Sequence, residues 1–290
     1  MNATEQTAAQ PAADVATPDD ANDLRGFHLK RLLGKPLTWV LLAAFAIAAG
    51  VAGAIFVGPA IGAAAGAGTL LLGLVIVFAI ADSQAEDAFF AAYAKQRGLT
   101  LAGRSRLPPT TPLLRKGDDR YAERSMSGPL ADGVEGLLAL YTYEDETTDS
   151  EGNRQTNYYR YTVGLAEVAE CAGFVPELYC QRKSGLHALE KLEDVFRRSK
   201  ERVELESGAL DERYEIFAAK GEDANHLRQL FSPTFIVWLT DSAPEKFAFE
   251  LVDGTLCCYV KGHKKKAAEL DTIRAASATV ATRLREEALE

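Results

Sequence analysis

The residues able to do chemistry are scattered through the chain. The four histidines, His28, His187, His226 and His263, include no two at metal-ligand spacing, and none stands beside a cysteine. His187 and His226 fall in expected helices with Glu190 and Asp223 within one turn, which reads as solvated or capping histidine rather than a metal centre. The four cysteines, Cys171, Cys180, Cys257 and Cys258, form no C-x-x-C pair. Vicinal Cys257 and Cys258 lie in an expected strand, whose successive side chains point to opposite faces, so they read as free thiols of a reducing compartment. The acidic run 144–151 invites a calcium loop. With Gly152 at its sixth position, Thr147 stands first and Tyr158 twelfth, where oxygen-rich acidic ligands are needed. A solvated hairpin tip is the better reading. No phosphate-binding loop, dinucleotide fingerprint or nucleophile elbow occurs. The sequence thus assigns no catalytic residue, cofactor or metal, and leans away from an enzyme.

One dense basic patch remains: Lys261, His263, Lys264, Lys265 and Lys266. Four lysines within six residues repel one another, so they do not stabilise the fold. They read either as a charged turn before the last helix or as a candidate contact for anionic lipid or an acidic partner. The chain as a whole is acidic, with net charge −9 over 290 residues. Residues 1–35 carry −1 and residues 82–290 carry −8, a poor balance for binding nucleic acid, which needs clustered Lys and Arg against phosphate.

The elements that must hold these residues are organised around 36–81, where there is not one charged side chain. A transmembrane helix needs about 20 apolar residues to cross a hydrocarbon core of about 30 Å, and this run is twice that. Gly58-Pro59 breaks it into two expected spans, 37–57 and 60–81. In lipid every backbone polar group needs an internal partner, so both are expected to be helices, joined as a hairpin. Small residues crowd its turn end, Gly50, Gly53 and Ala54 in the first span and Gly62, Ala65, Gly66 and Gly68 in the second, and Gly62 with Gly66 makes a G-x-x-x-G pair. Such residues let helix backbones approach closely, either span against span or chain against chain as a homo-oligomer. Basic residues flank the outer ends, Arg25, Lys30, Arg31 and Lys35 before and Lys95, Arg97, Arg104 and Arg106 after, and the turn has none. By the positive-inside rule both termini are expected in the cytoplasm and the protein in a bacterial inner membrane.

The expected domains are a tail at 1–35, the hairpin at 36–82 and a cytoplasmic domain at 83–290. Residues 1–23 lack aromatics and contain Pro11 and Pro18, which predicts disorder. Residues 24–33 predict a short basic amphipathic helix or an extension of the first span. A helix is expected over 85–97, continuing from the membrane or broken near Ser83, then a Pro-rich linker at 107–112. Strands are expected over 121–130, 136–143, 157–165, 174–181, 203–206, 214–218, 247–252 and 255–260. Asp253-Gly254 between the last two is the strongest hairpin signal. Helices are expected over 184–198, 223–230, 232–239 and 267–288. The class is α+β: a transmembrane helical hairpin, then a soluble domain of antiparallel sheet with packed helices, in one sheet or two.

The stretches 205–216 (LESGALDERYEI) and 230–235 (LFSPTF), the strand from Phe247 to Glu250 and the hairpin to Tyr259 carry a resemblance. They resemble an uncharacterised group of bacterial two-span membrane proteins, catalogued as a domain of unknown function. In that group an aromatic often stands where Leu210 stands here. The resemblance implies a membrane-anchored α+β domain and no activity. The functional expectation is a membrane-anchored, non-enzymatic partner-binding or scaffolding protein. The alternatives are a membrane-tethered enzyme whose site no motif reveals and a sensor of anionic lipid.

Overall fold

The computed structural model describes residues 19–148, 152–183 and 200–289. The expected helix over 184–198 lies outside them. The chain forms two compact units, Met1–Tyr93 and Ala94–Glu290.

The first unit opens with α1 (Ala21–Leu33), whose start is fixed by the Asp20 carboxylate accepting the Asn22 N–H at 2.8 Å. Residues 21–23, within the stretch expected to be disordered, are thus helical. After Gly34 and Lys35, α2 (Pro36–Phe56) starts on proline, which needs no N–H partner in a first turn. Val57 and Gly58 break the helix, with Gly58 at φ +132°, and α3 (Pro59–Gln96) then runs through Ser83 without interruption. The glycines set how closely α2 and α3 approach. A Cβ on Gly62 would lie 2.5 Å from the Gly50 carbonyl oxygen and 2.6 Å from the Ala54 nitrogen; one on Gly66 would lie 3.0 Å from the Ala46 oxygen. Both glycines of the G-x-x-x-G pair are thus spent on packing one span against the other within the chain.

The second unit is one nine-stranded sheet, antiparallel throughout. Its strands are β1 (Thr100–Ala102), β2 (Asp119–Ala131), β3 (Val134–Thr148), β4 (Arg154–Glu167), β5 (Glu177–Arg182), β6 (Lys200–Val203), β7 (Tyr214–Ala219), β8 (Ala248–Val252) and β9 (Thr255–Lys261). The order is β1-β2-β3-β4-β9-β8-β5-β7-β6. The β8–β9 hairpin turns at Asp253 (φ 47°) and Gly254 (φ 78°), as the Asp-Gly pair requires. Two strands depart from the sequence pattern. Pro176 cannot donate to the ladder, so β5 starts at Glu177 rather than 174. β6 occupies 200–203 rather than 203–206, because Ser207 is taken up in capping a helix, its Oγ accepting the Leu210 N–H at 3.4 Å.

Short helices fill the connections: α4 (Pro112–Arg115), which ends the Pro-rich linker, α5 (Gly208–Arg213), α6 (Ala224–Leu230) and α7 (Pro233–Val237). Ser232 caps α7, and the chain continues in a wider turn over Trp238–Ser242. The last helix, α8 (Ala267–Leu289), lies across β2, β3, β4 and β9. Its stripe Leu270, Ile273, Ser277, Val280 and Leu284 is buried. On the opposite face Leu113 and Leu114 of α4 pack on Tyr141, Tyr143, Tyr161, Val163 and Tyr259. Cys257 joins that cluster while Cys258 belongs to the α8 face, and all four cysteines are free and buried.

Candidate functional site

The first surface that could bind something is the hairpin. No residue of α2 is buried, and Phe45, Ile55 and Phe56 are 66%, 73% and 84% exposed. The most apolar windows of α2 and α3 are 6% and 0% buried. A core helix of a soluble domain hides such residues; these two present them all round. Both are long and apolar enough to cross a membrane.

The lysine turn looks different in three dimensions. Lys261 ends β9 and is exposed, and Gly262 (φ +88°) swings the chain out of the sheet. His263 turns inward: its side chain is 7% exposed, with Nε2 3.1 Å from the Tyr141 carbonyl oxygen and 3.2 Å from the Thr142 hydroxyl, and Nδ1 3.7 Å from the Glu123 carboxylate. Burial holds its pKa below the usual value against the pull of Glu123. His263 therefore anchors the turn and is not on the outward face the sequence suggested. Lys264 donates its N–H to Thr162 Oγ at 2.8 Å, and its Nζ is 3.3 Å from Glu269. Lys265 and Lys266 have interactions of their own. Contiguity in sequence thus overstates the patch: Lys261 and Lys266 are exposed, and Lys264 and Lys265 are half-buried.

The turn borders a surface that the sequence did not reveal. β2 pairs with β3 only as far as Asp119–Glu144, and β9 pairs with β4 only from Lys261–Tyr161 onward. β3 and β4 continue together to Thr148–Arg154. Their outer halves form a two-stranded ribbon with two free edges. The β3 edge is guarded: the Asp118 carboxylate accepts the Glu146 N–H at 2.8 Å, and Tyr121 donates to Glu144 at 2.9 Å. The β4 edge is open. Gly262 donates its N–H to the Arg160 carbonyl at 2.7 Å, so the backbone groups of residue 160 face the β9 side. In an antiparallel ladder alternate residues face the same way, so those of Tyr158, Thr156 and Arg154 do too, where no strand lies among the described residues. Tyr158 is 53% exposed on this edge, and among the described residues no carboxylate pairs with Arg154, Arg160 or Lys261.

A buried carboxyl group was also missed. All five residues of β8 are buried, Glu250 included. Glu250 accepts the Leu113 N–H at 2.9 Å and the Tyr259 hydroxyl at 3.4 Å, so it caps α4 from across the sheet. Burial raises its pKa, opposed by those hydrogen bonds and by Lys116. Lys116 is itself lowered to about 8 by burial, against Glu250 and Asp145. The group closes the tyrosine face over α4 and opens on no described cavity. Among the described residues no three His, Cys, Asp or Glu side chains gather as metal ligands.

Fold and surfaces together define a membrane-associated α+β protein. No protein-family model and no curated protein matches the chain. A crystal structure of the mycobacterial trehalose monomycolate transport factor A, TtfA, is similar at 9% identity over 68% of this chain and 90% of that one, with a TM-score of 0.41. A likeness that remote carries no functional argument.

Proposed function

We propose that the chain is a bacterial inner-membrane protein, kin to the two-span group it resembles, with both termini cytoplasmic. Its α+β domain is a non-enzymatic binding module that takes an extended, acidic segment of a protein partner onto the open edge of β4. The observation that carries this reading is the row of backbone groups at Arg154, Thr156 and Tyr158, in line with β9 and flanked by cations, which no strand among the described residues fills. An incoming antiparallel strand would continue the line that β9 leaves at Gly262, adding main-chain hydrogen bonds to the sheet. Five residues opposite 154–158 span about 17 Å. Carboxylates on the incoming strand would meet Arg154 and Arg160. A second copy of the chain fits less well. Self-pairing over 154–158 would set Arg154 diagonal to the Arg160 of the other copy, twice over. The basic residues flanking both spans support the cytoplasmic assignment.

The test uses the full chain in neutral detergent and a fluorescein-labelled heptapeptide of alternating Thr and Glu, read by anisotropy. Binding should be at least tenfold tighter than to the Thr/Lys counterpart, and N-methylation of alternate residues should abolish it. Thr156→Pro removes one outward N–H without touching the β3 ladder, so it should lose binding at unchanged thermal stability. Arg154→Glu with Arg160→Glu should reverse the charge preference. Indifference to N-methylation, or equal binding of both peptides, would refute the reading. So would a dimer that Thr156→Pro dissolves, which would assign the edge to a second copy.

A further inference from the structure

The geometry points to a site for the phosphodiester headgroup of an anionic phospholipid, in the cleft between α1 and α3. The cleft has a volume of about 530 Å³ and is lined by His28, Arg31, Leu32 and Lys35 on one side and Gln84, Asp87 and Ala88 on the other. The spacing explains the two walls. Residues 28, 31 and 32 recur at i, i+3 and i+4 on α1, and residues 84, 87 and 88 do the same on α3, so each set is one helical face, while Lys35 enters from the extended link between α1 and α2. The Arg25–Asp82 ion pair ties α1 to α3 one turn away, which fixes the separation of the walls. Thr38 Oγ1 donates to the Leu32 carbonyl at 2.8 Å and Trp39 Nε1 to the Leu33 carbonyl at 2.7 Å, so α1 is also fixed to the start of α2.

The depth of the cleft is what selects a lipid. The uncharged run ends at Ala81. At 1.5 Å rise per residue, Gln84 to Ala88 stand about 5–10 Å beyond it. The headgroup layer of each leaflet is about 5–8 Å thick outside the hydrocarbon core, so the cleft lies at the level of lipid phosphates. Lys35 is the last charge before α2, and Trp39, 49% exposed, sits where an aromatic anchor meets the interface. Arg31 and Lys35 bring two fixed positive charges to one cavity, and Gln84 adds an amide donor across it. His28 also lines the cleft, and its Nδ1 atom is buried with no hydrogen-bond partner. Asp87 also lines the cleft, so its charged lining is two cations, Arg31 and Lys35, against one carboxylate. A basic cavity at headgroup level, walled by two fixed helices, suits an anionic phosphodiester whose acyl chains stay in the leaflet.

The experiment reconstitutes the purified full chain into nanodiscs of equal phosphatidylglycerol and phosphatidylcholine, releases it, and counts retained lipids by native mass spectrometry. The wild type should keep one phosphatidylglycerol in preference to phosphatidylcholine. Arg31→Gln with Lys35→Gln should cut that retention at least tenfold. Gln84→Leu fills the cleft without changing charge and should cut it as well. Lys30→Gln removes a basic residue of α1 outside the cleft and should leave retention unchanged. Equal retention of the two lipids, or losses as large for Lys30→Gln as for the cleft variants, would overturn the site in favour of unspecific surface charge. Loss of the retained lipid to millimolar inorganic phosphate would overturn it in favour of a soluble phosphate. None of these readouts involves β4, so the fate of the peptide-binding reading is separate.

Discussion

Gly164 and Ser277 hold the last helix against the sheet, and the pair can be tested as a pair. Gly164 lies in β4 between Leu138 of β3 and Cys258 of β9. A Cβ built on it would stand 2.1 Å from Ser277 Oγ and 2.9 Å from Ser277 Cβ. Rotation of the hydroxyl away from its 2.9 Å bond to the Ile273 carbonyl removes the first clash but not the second. In Gly164→Ala the helix must therefore lift, loosening the neighbouring Ile273 and Val280, both buried. Overpacking of this kind costs about 1–3 kcal/mol. The lower entropy of an unfolded alanine returns about 0.4–1 kcal/mol, since Gly164 is not held at positive φ. The net loss is about 0–2.6 kcal/mol, or up to about 10 °C in Tm for a domain of this size. Ser277→Gly should cost a little alone, because glycine is a poor helix residue. It should nevertheless rescue Gly164→Ala, with a coupling of about 1 kcal/mol or more. The assay is thermal unfolding of the four variants of the full chain in one detergent. Strictly additive effects of the two substitutions would refute the close approach. The pair also matters for binding, because the outer half of β4 is the open edge.

Three further outcomes are expected. The Glu250 pKa is raised above its ordinary value of 4.5, so its contribution to stability is present at acid pH and declines as pH rises through the folded pKa. Glu250→Gln should remove that decline, so the variant gains on the wild type between pH 4 and 8; a Tm offset that does not change with pH would contradict the burial. In the hairpin, Gly62→Leu should increase the distance between spin labels on α2 and α3, because its Cβ meets backbone atoms 2.5 and 2.6 Å away; unchanged distances would mean the spans do not pack there. Reporter fusions at residue 1 and residue 290 should both report cytoplasm, and a periplasmic signal from either would reverse the orientation argued from the basic flanks.

The hairpin could be read from sequence because its signal, the absence of charge, is local and long. Asp253-Gly254 was legible for the opposite reason, since two residues suffice to specify that turn. The buried stripe of α8 followed from helical spacing alone. What stayed hidden depends on contacts remote in sequence. Glu250 is the one charged residue of β8, and nothing beside it in sequence marks it as buried; α4, distant in sequence, covers its face, so every β8 side chain is inside. The lysine turn looks uniform as a string, whereas Gly262 sends neighbouring side chains to different places: His263 into Tyr141 and Glu123, Lys264 toward Glu269. The open edge is illegible on principle. It exists because β9 turns away while β3 and β4 carry on, and nothing in β4 itself announces that its next neighbour ends early.

An unguarded edge is a liability for a freely diffusing protein, because any exposed strand can add to it. Here one edge of the ribbon is blocked by Asp118 and the acids of β3, and the other carries only polar, aromatic and basic residues. That asymmetry argues that the open side is kept open. A row of three residues offers few hydrogen bonds, each worth about 0.5–1.5 kcal/mol net, so a free peptide should bind it weakly. The anchor changes that arithmetic. Under the proposed topology two spans would confine the domain near any other protein of the same membrane, and tethering of this kind raises effective concentrations to about the millimolar range. A weak, register-specific strand addition then suffices for a membrane-bound partner and stays negligible for soluble ones. Under the proposed function the exposed apolar helices and the open cationic edge are two halves of one arrangement, in which the membrane would supply most of the affinity and β4 the choice of partner.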